Sequence, residues 1–205
     1  MRETTDFIGR ARRSIQASIE VMHLLLGNTE TVSTIAKVSA LLVDSLDKGN
    51  KVVLFGNGGS AADAQHIAAE FVGRFAFDRP ALPALALSVN TSCVTAIGND
   101  YGFDLVFSRQ IEALARAGDV AIGISTSGNS SNILHGVSVA RKSGLVTVAL
   151  TGCTGGKLKS GVDYCICAPS NDTARIQECH ILIGHIISEL VEETIFHEQS
   201  RVSGS

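Results

Sequence analysis

Twice in this chain an apolar run breaks off into a loop of Gly, Ser, Thr and Asn, and a helical pattern follows. Lys51 to Phe55 leads into Gly56-Asn57-Gly58-Gly59-Ser60-Ala61, and Asp119 to Ile124 leads into Ser125-Thr126-Ser127-Gly128-Asn129-Ser130. Runs such as Val-Val-Leu-Phe and Val-Thr-Val-Ala-Leu are continuous and mostly apolar rather than alternating, as a parallel sheet covered by helices on both faces demands. The pattern predicts strands over 51–55, 84–88, 119–124, 145–150 and 163–167. Between and after them it predicts helices over 61–74, 103–116, 130–142, 155–159 and 173–197. This alternation specifies an α/β fold, a three-layer αβα sandwich with a central five-stranded parallel sheet. Ligands of such sheets bind beyond the carboxyl ends of the strands, where both small-residue loops fall.

Two helices precede the first strand. Phe7, Ile8, Ala11, Ile15, Ile19, Met22 and Leu26 recur every three or four residues, and Gly27-Asn28 stops that helix. A second begins near Thr29 and runs through Val32, Ile35, Val38, Leu41, Leu42 and Leu46 to the helix-ending pair Gly49-Asn50. The expected organisation is a helical extension over 1–50 that packs in an oligomer, the sandwich over 51–197, and a polar tail over 198–205. At 205 residues the chain makes one compact domain rather than two. An apolar fraction of 45% is high enough to suggest burial between subunits as well.

Several classes of function are disfavoured. The net charge of −3, without a dense Lys/Arg block, argues against a nucleic-acid partner held by its backbone phosphates. Every apolar run is interrupted before the roughly 20 residues that a bilayer span needs. Met1 to Gln16 carries Arg10, Arg12 and Arg13 but lacks the apolar core and small-residue cleavage site of a secretory signal, so a cytoplasmic protein is expected. Cys93, Cys153, Cys165, Cys167 and Cys179 are odd in number and irregular in spacing, which favours reduced thiols packed as small apolar groups.

The chemistry follows from the loops. Small residues let backbone N–H groups approach a ligand, hydroxyls add donors, and the start of a helix adds partial positive charge, so each loop suits an anion such as phosphate. The first loop lacks the third Gly of a dinucleotide fingerprint and the Lys of a nucleotide-triphosphate loop, which leaves a phosphorylated small molecule as the expected ligand. His66 and Glu70 lie four apart on the following helix, with side chains about 6 Å apart, and either share a metal or substrate or form an exposed ion pair. The last helix carries Arg175, Gln177, Glu178, His180 and His185 in an otherwise apolar stretch. His185 reads either as a core histidine satisfied by a neighbour or as a functional group in a dry pocket. Gln177 stands two turns before it, about 12 Å along the axis. Ala96 to Phe103 reads as a Gly-bounded polar loop whose Asn99 and Asp100 bind hydroxyl groups or cap the next helix.

In order along the chain, FGNGGSAADAQHIAAE (55–70), GNDYGF (98–103), GISTSGNS (123–130), LTGCTGGKL (150–158) and ARIQECHILIGHII (174–187) resemble the sugar isomerase (SIS) superfamily, and within it the phosphoheptose isomerases. The similarity runs from about Thr4 to Phe196. The resemblance implies interconversion of D-sedoheptulose 7-phosphate and D-glycero-D-manno-heptose 7-phosphate through an enediol. That is the first step toward heptose for lipopolysaccharide core or other surface glycans. It also implies a homotetramer with one Zn2+ per subunit and active sites near subunit contacts.

Carried over by position, Glu70 corresponds to the catalytic base and His185 to the acid. The metal positions fall on His66, Glu70, Gln177 and His185. The substrate positions fall on Asn57, Gly58, Gly59, Ser60, His66, Glu70, Asn99, Asp100, Ser125, Thr126, Ser127, Ser130 and Gln177. Whether His185 and Glu70 act in one subunit is left open, and His180 matches no catalytic position and reads as structural. The alternative is a non-catalytic SIS tetramer that binds the replication initiator DnaA. That relative has Asn, Thr and Arg where this chain keeps His185, Gly59 and Ser127. A sugar-phosphate sensor of a transcription regulator would bring a DNA-binding module, for which the chain has no room.

Overall fold

A computed structural model describes residues 6–196, so the tail expected over 198–205 lies outside the described residues. Helix α1 (Phe7–Gly27) starts where the Asp6 carboxylate accepts a hydrogen bond from Gly9 N, and α2 (Thr29–Asp47) starts where the Asn28 side chain accepts from Thr31 N. Asn28 thus ends one helix and caps the next, which makes the break sharp. On α2, Ile35, Val38, Leu42 and Leu46 are buried. Of α1 only Leu25 is buried, while Phe7, Ile8, Ile15, Ile19 and Leu26 of its apolar stripe stay exposed.

The alternating part follows as β1 (Val52–Gly56), α3 (Gly59–Val72), β2 (Ala84–Ala86), α4 (Thr91–Tyr101), α5 (Ser108–Leu114), β3 (Val120–Ser125), α6 (Ser131–Lys142), β4 (Val146–Thr151), β5 (Tyr164–Cys167) and α7 (Thr173–Ile195). Short 3-10 turns cover Phe103–Leu105 and Gly156–Ser160. The sheet is parallel throughout, with strand order β2-β1-β3-β4-β5. Val52 and Leu54 point into one core with α2, α3 and α7, while Val53 and Phe55 point into the other with α5 and α6. That two-sided burial makes three layers, as the unbroken apolar runs require.

The chain crosses from one side of β1 to the other between β2 and β3, and the register pairs Gly56 with Ile124. The loops after β1 and β3 therefore emerge side by side at a topological switch point, the place where such sheets bind ligands.

The segment from 84 to 116 departs from expectation. The strand expected over 84–88 ends at Ala86, and Ala96–Tyr101, expected as loop, is the second half of α4, which Asn90 caps by accepting from Cys93 N. Gly98 lies inside that helix, and Gly102, at φ 90°, ends it. The helix expected over 103–116 is a 3-10 turn followed by the seven residues of α5. No residue of α4 is fully buried, so no apolar period announced it.

Candidate active site

The first loop is shorter than its sequence suggests. Only Asn57 and Gly58 separate β1 from α3, and Gly58 takes the left-handed φ of 54° and caps the helix without a side-chain bond. No side chain caps the first turn of α3; Ser60 N and Ala61 N donate instead to Asn57 O and Gly58 O, each at 3.0 Å, which leaves Gly59 N as the first-turn donor open to an anion. Asn57 and Asn132 of α6 exchange two amide hydrogen bonds of 2.8 Å each, which ties the two loops together.

In the second loop the Ser125 and Ser130 hydroxyls lie 3.1 Å apart, and Ser127 Oγ accepts from Asn129 N at 3.2 Å. The loop after β4 packs onto it. Gly152 N donates to Thr126 O at 2.9 Å, Leu158 N to Gly128 O at 3.0 Å, and Lys157 N to Asn129 Oδ1 at 3.0 Å. Together with the start of α7 these loops enclose a cavity of about 160 Å³ lined by Thr126, Ser127, Gly152, Cys153, Ser170 and Thr173.

Gly128, at φ 65°, leaves no room for a side chain, since a Cβ there would stand 2.1 Å from the Gly155 carbonyl oxygen. The left-handed backbone alone should make Gly128→Ala lose about 1–2 kcal/mol, and the backbone collision adds to that. A Cβ on Gly27 meets nothing within 4 Å, so Gly27→Ala is the control. Denaturant melts should show a lowered midpoint for Gly128→Ala and an unchanged or raised one for Gly27→Ala.

About two turns along α3 from the first loop stands a second group of polar residues. Helices α3 and α7 approach so closely at Gly184 that a Cβ there would lie 2.5 Å from Ile67 Cδ1. That approach brings the next residue, His185, onto His66. Their Nε2 atoms are 3.3 Å apart, their rings meet edge to face at 5.0 Å, and His66 Nε2 lies 3.0 Å from Glu70 Oε1. One donor atom from each of His66, Glu70 and His185 lies within 4.8 Å of the others. Separations of 3.0 and 3.3 Å are what a tetrahedral ion with bonds of about 2.0–2.1 Å would span, so the set fits a divalent metal.

Glu70 and His185 thus meet within one chain. His185 is half-buried against the Phe75 ring, 5.8 Å away, and belongs to neither a core nor a closed pocket. The core histidine is His180, which is fully buried and donates from Nε2 to Thr151 O at 3.1 Å. Burial pushes its pKa down to about 4, so it is neutral and structural, as expected.

Of the other predicted residues, Gln177 and Ser60 lie by the first loop, whereas Asn99 and Asp100 do not join either group. Gln177 lies over the first loop, so close that a Cβ on Gly59 would come 2.3 Å from its Nε2. Ser60 is buried at the start of α3. Asn99 and Asp100 are exposed on α4, where Asn99 Nδ2 donates to Asp100 Oδ1, and α4 packs through Val94 and Ile97 in the layer opposite the cluster. Asp63, not singled out from the sequence, lies one turn before His66 with Oδ2 buried and without a hydrogen-bond partner among the described residues. Burial raises its carboxyl pKa, which the nearby His66 only partly offsets.

Also not anticipated was the support beneath the cluster. Arg79 donates from Nε to Glu192 Oε2 at 2.9 Å and from its Nη atoms to Glu70 O and Phe71 O at 2.7 and 2.8 Å. Glu192 also accepts from Phe75 N and Ala76 N at 2.7 and 2.6 Å. The carboxyl end of α3 and the segment carrying Phe75 are thereby fixed to α7. A visible signal existed, because Glu192 falls in register with Gly184, Ile187, Ser188 and Val191 on the buried face of α7.

Residues 16–152 match the SIS domain family. The chain is 55% identical over 185 residues to the phosphoheptose isomerase of Aneurinibacillus thermoaerophilus, covering 90% of this chain and 93% of that one. It is 56% identical over 161 residues to that of Aquifex aeolicus strain VF5, covering 78% and 84%. Among solved structures, the phosphoheptose isomerase of Neisseria gonorrhoeae superposes with a TM-score of 0.85 at 42% identity, covering 90% of this chain and 98% of that one. The one from Francisella tularensis gives 0.87 at 34% identity, covering 91% and 98%.

Proposed function

This chain belongs to the phosphoheptose isomerases of the SIS domain family, and we propose that it interconverts D-sedoheptulose 7-phosphate and D-glycero-D-manno-heptose 7-phosphate. The family makes it a sugar-phosphate isomerase. The observation that carries the finer reading is the convergence of Glu70 and His185, from different helices, within 4.8 Å of each other.

Ketose-to-aldose exchange needs a base that takes a proton from the carbon beside the carbonyl and an acid that protonates the carbonyl oxygen. From the ketose, Glu70 removes a C1 proton while His185 gives a proton to the C2 oxygen, which leaves an enediol. Returning the carbon-bound proton to C2 as the O1 proton departs completes the aldose, and no atom is gained or lost. Glu70 Oε1 faces His66, leaving Oε2 for the proton.

His66, Glu70 and His185 would hold a divalent cation, proposed as one Zn2+ per subunit, with Gln177 as the fourth ligand. Such an ion would supply Lewis-acid stabilisation of the enediolate charge. Ser125, Thr126, Ser127 and Ser130 would hold the phosphate, with Asn57, Gly58, Gly59 and Ser60 beside it.

The unburied apolar stripe of α1 supports assembly as a homotetramer, in which Asn99 and Asp100 would bind sugar across a subunit contact. The product would supply heptose for lipopolysaccharide core or another surface glycan, from the cytoplasm. Gly59 weighs for the isomerase over the DnaA-binding alternative, because any side chain there would displace the Gln177 amide.

Product analysis on five-, six- and seven-carbon ketose phosphates tests the reading. Aldose should form from the seven-carbon substrate and be strengthened by added Zn2+. No aldose from it, with or without the ion, would refute the assignment.

A further inference from the structure

Three cysteines that the isomerase reading does not use gather at the carboxyl ends of β4 and β5. Cys165 and Cys167 flank the buried Ile166 on the edge strand, so they share one face of it, with Sγ atoms 3.7 Å apart. Thr151 is paired with Cys167 in the β4–β5 register. Its hydroxyl donates to Cys167 Sγ at 3.4 Å and lies 3.6 Å from Cys165 Sγ. The pair opens onto a cavity of about 150 Å³ whose wall includes Glu30, Lys159 and Cys153. Cys153 also lines the cavity at the serine loop. Thr151 adjoins Gly152, whose N–H holds Thr126, so the thiols stand one residue from backbone that shapes that cavity.

We propose that Cys165 and Cys167 form a peroxide-reactive dithiol that closes reversibly to a disulfide beside the substrate cavity. The Cys167 thiolate attacks one oxygen of hydrogen peroxide and the O–O bond breaks. The departing hydroxide takes a proton to become water, leaving a sulfenic acid on Cys167. Cys165 sulfur then attacks Cys167 sulfur, the S–O bond breaks, and the second water leaves with the Cys165 proton. Two thiols and one peroxide become one disulfide and two waters.

The surroundings favour Cys167 as the attacking thiolate, while the hydrogen bond to Cys167 and burial hold the Cys165 thiol above its ordinary range and so keep it protonated until Cys167 is oxidised. A hydrogen bond from the Cys165 thiol, the Thr151 hydroxyl and the charge of Lys159 draw the Cys167 thiol below its ordinary range, against burial and Glu30. A thiol with thiolate character is the one that reacts. Two residues of strand rise separate the Cα atoms by about 6.6 Å. That is near the upper limit of about 6.8 Å for a disulfide, so the bridge closes under strain. Strained disulfides are the readily reduced kind, suited to reversal.

The test exposes the intact protein to hydrogen peroxide, alkylates the remaining thiols and digests with trypsin. Cleavage after Lys159 and Arg175 releases residues 160–175, which hold both cysteines and no third. The expected peptide is two hydrogens lighter and unalkylated, and it takes up two alkyl groups after dithiothreitol. In Cys165→Ser, the sulfenic acid should persist on Cys167 and be trapped by dimedone. A doubly alkylated peptide at an exposure that oxidises the exposed Cys153 would overturn the proposal. So would a crosslink of Cys165 or Cys167 to Cys153. Neither readout depends on the sugar the enzyme accepts.

Discussion

With Glu70 replaced by Gln, turnover of the seven-carbon ketose phosphate should fall by about 10²–10⁴-fold, the usual contribution of a positioned general base. Gln keeps the size and hydrogen-bonding reach of Glu but cannot accept the proton. His185→Asn should fall by a comparable factor. Since His66 is exposed and pairs with a half-buried Glu70, the ion pair between them contributes at most about 1 kcal/mol to folding, so both variants should melt near the wild type. If base and acid act on one enediol, the double variant should be scarcely slower than either single one. Rate assays with metal content measured on the same samples separate a lost base from a lost ion. Undiminished turnover in Glu70→Gln with its metal complement intact would remove Glu70 from the mechanism.

How much of this was legible in the chain depends on whether burial left a period. Val52 to Phe55 and Val120 to Ile124 are buried on both faces, so their unbroken apolar runs announced a parallel sheet. The loops after them stood out because their residues are small or hydroxyl-bearing, the composition that the proposed anion site calls for. Helix α4 buries nothing completely, and Gly98 and Gly102 disguised its second half as a loop. The meeting of His66 with His185 depends on Gly184 admitting Ile67 across a helix crossing, a contact between residues 117 apart in the chain. Local periodicity carries no record of such a contact, and only the family resemblance anticipated it. The serine loop likewise shows its hydroxyls in sequence, but not that Gly155 and Gly156 press on Gly128 to hold its shape. Cys165 and Cys167 read as separate small apolar residues until strand alternation placed them on one face.

The largest stability effect is expected at the ion pair beneath the cluster. Arg79 and Glu192 side chains are each 1% exposed, and removing one partner leaves the other charge buried without compensation. Such a loss costs about 3–5 kcal/mol, so Arg79→Leu and Glu192→Leu should each unfold at markedly lower denaturant. The double variant should recover part of that loss, because no charge is then stranded. Burial alone would raise the Glu192 carboxyl pKa, but the N–H groups of Ala76 and Phe75, the Arg79 guanidinium and Phe77 N–H outweigh it and hold the pKa below the ordinary 4.5. A lowered folded pKa means the stabilisation is complete above 4.5 and lost as pH falls through the folded value. The stability gap between wild type and Glu192→Gln should therefore be full at neutral pH and shrink on acidification below that range. Activity should suffer even where the variants stay folded, since Arg79 holds the Glu70 carbonyl and Glu192 holds Phe75 against His185. Single variants with wild-type denaturation midpoints at neutral pH would show that the segment after α3 is anchored by other contacts.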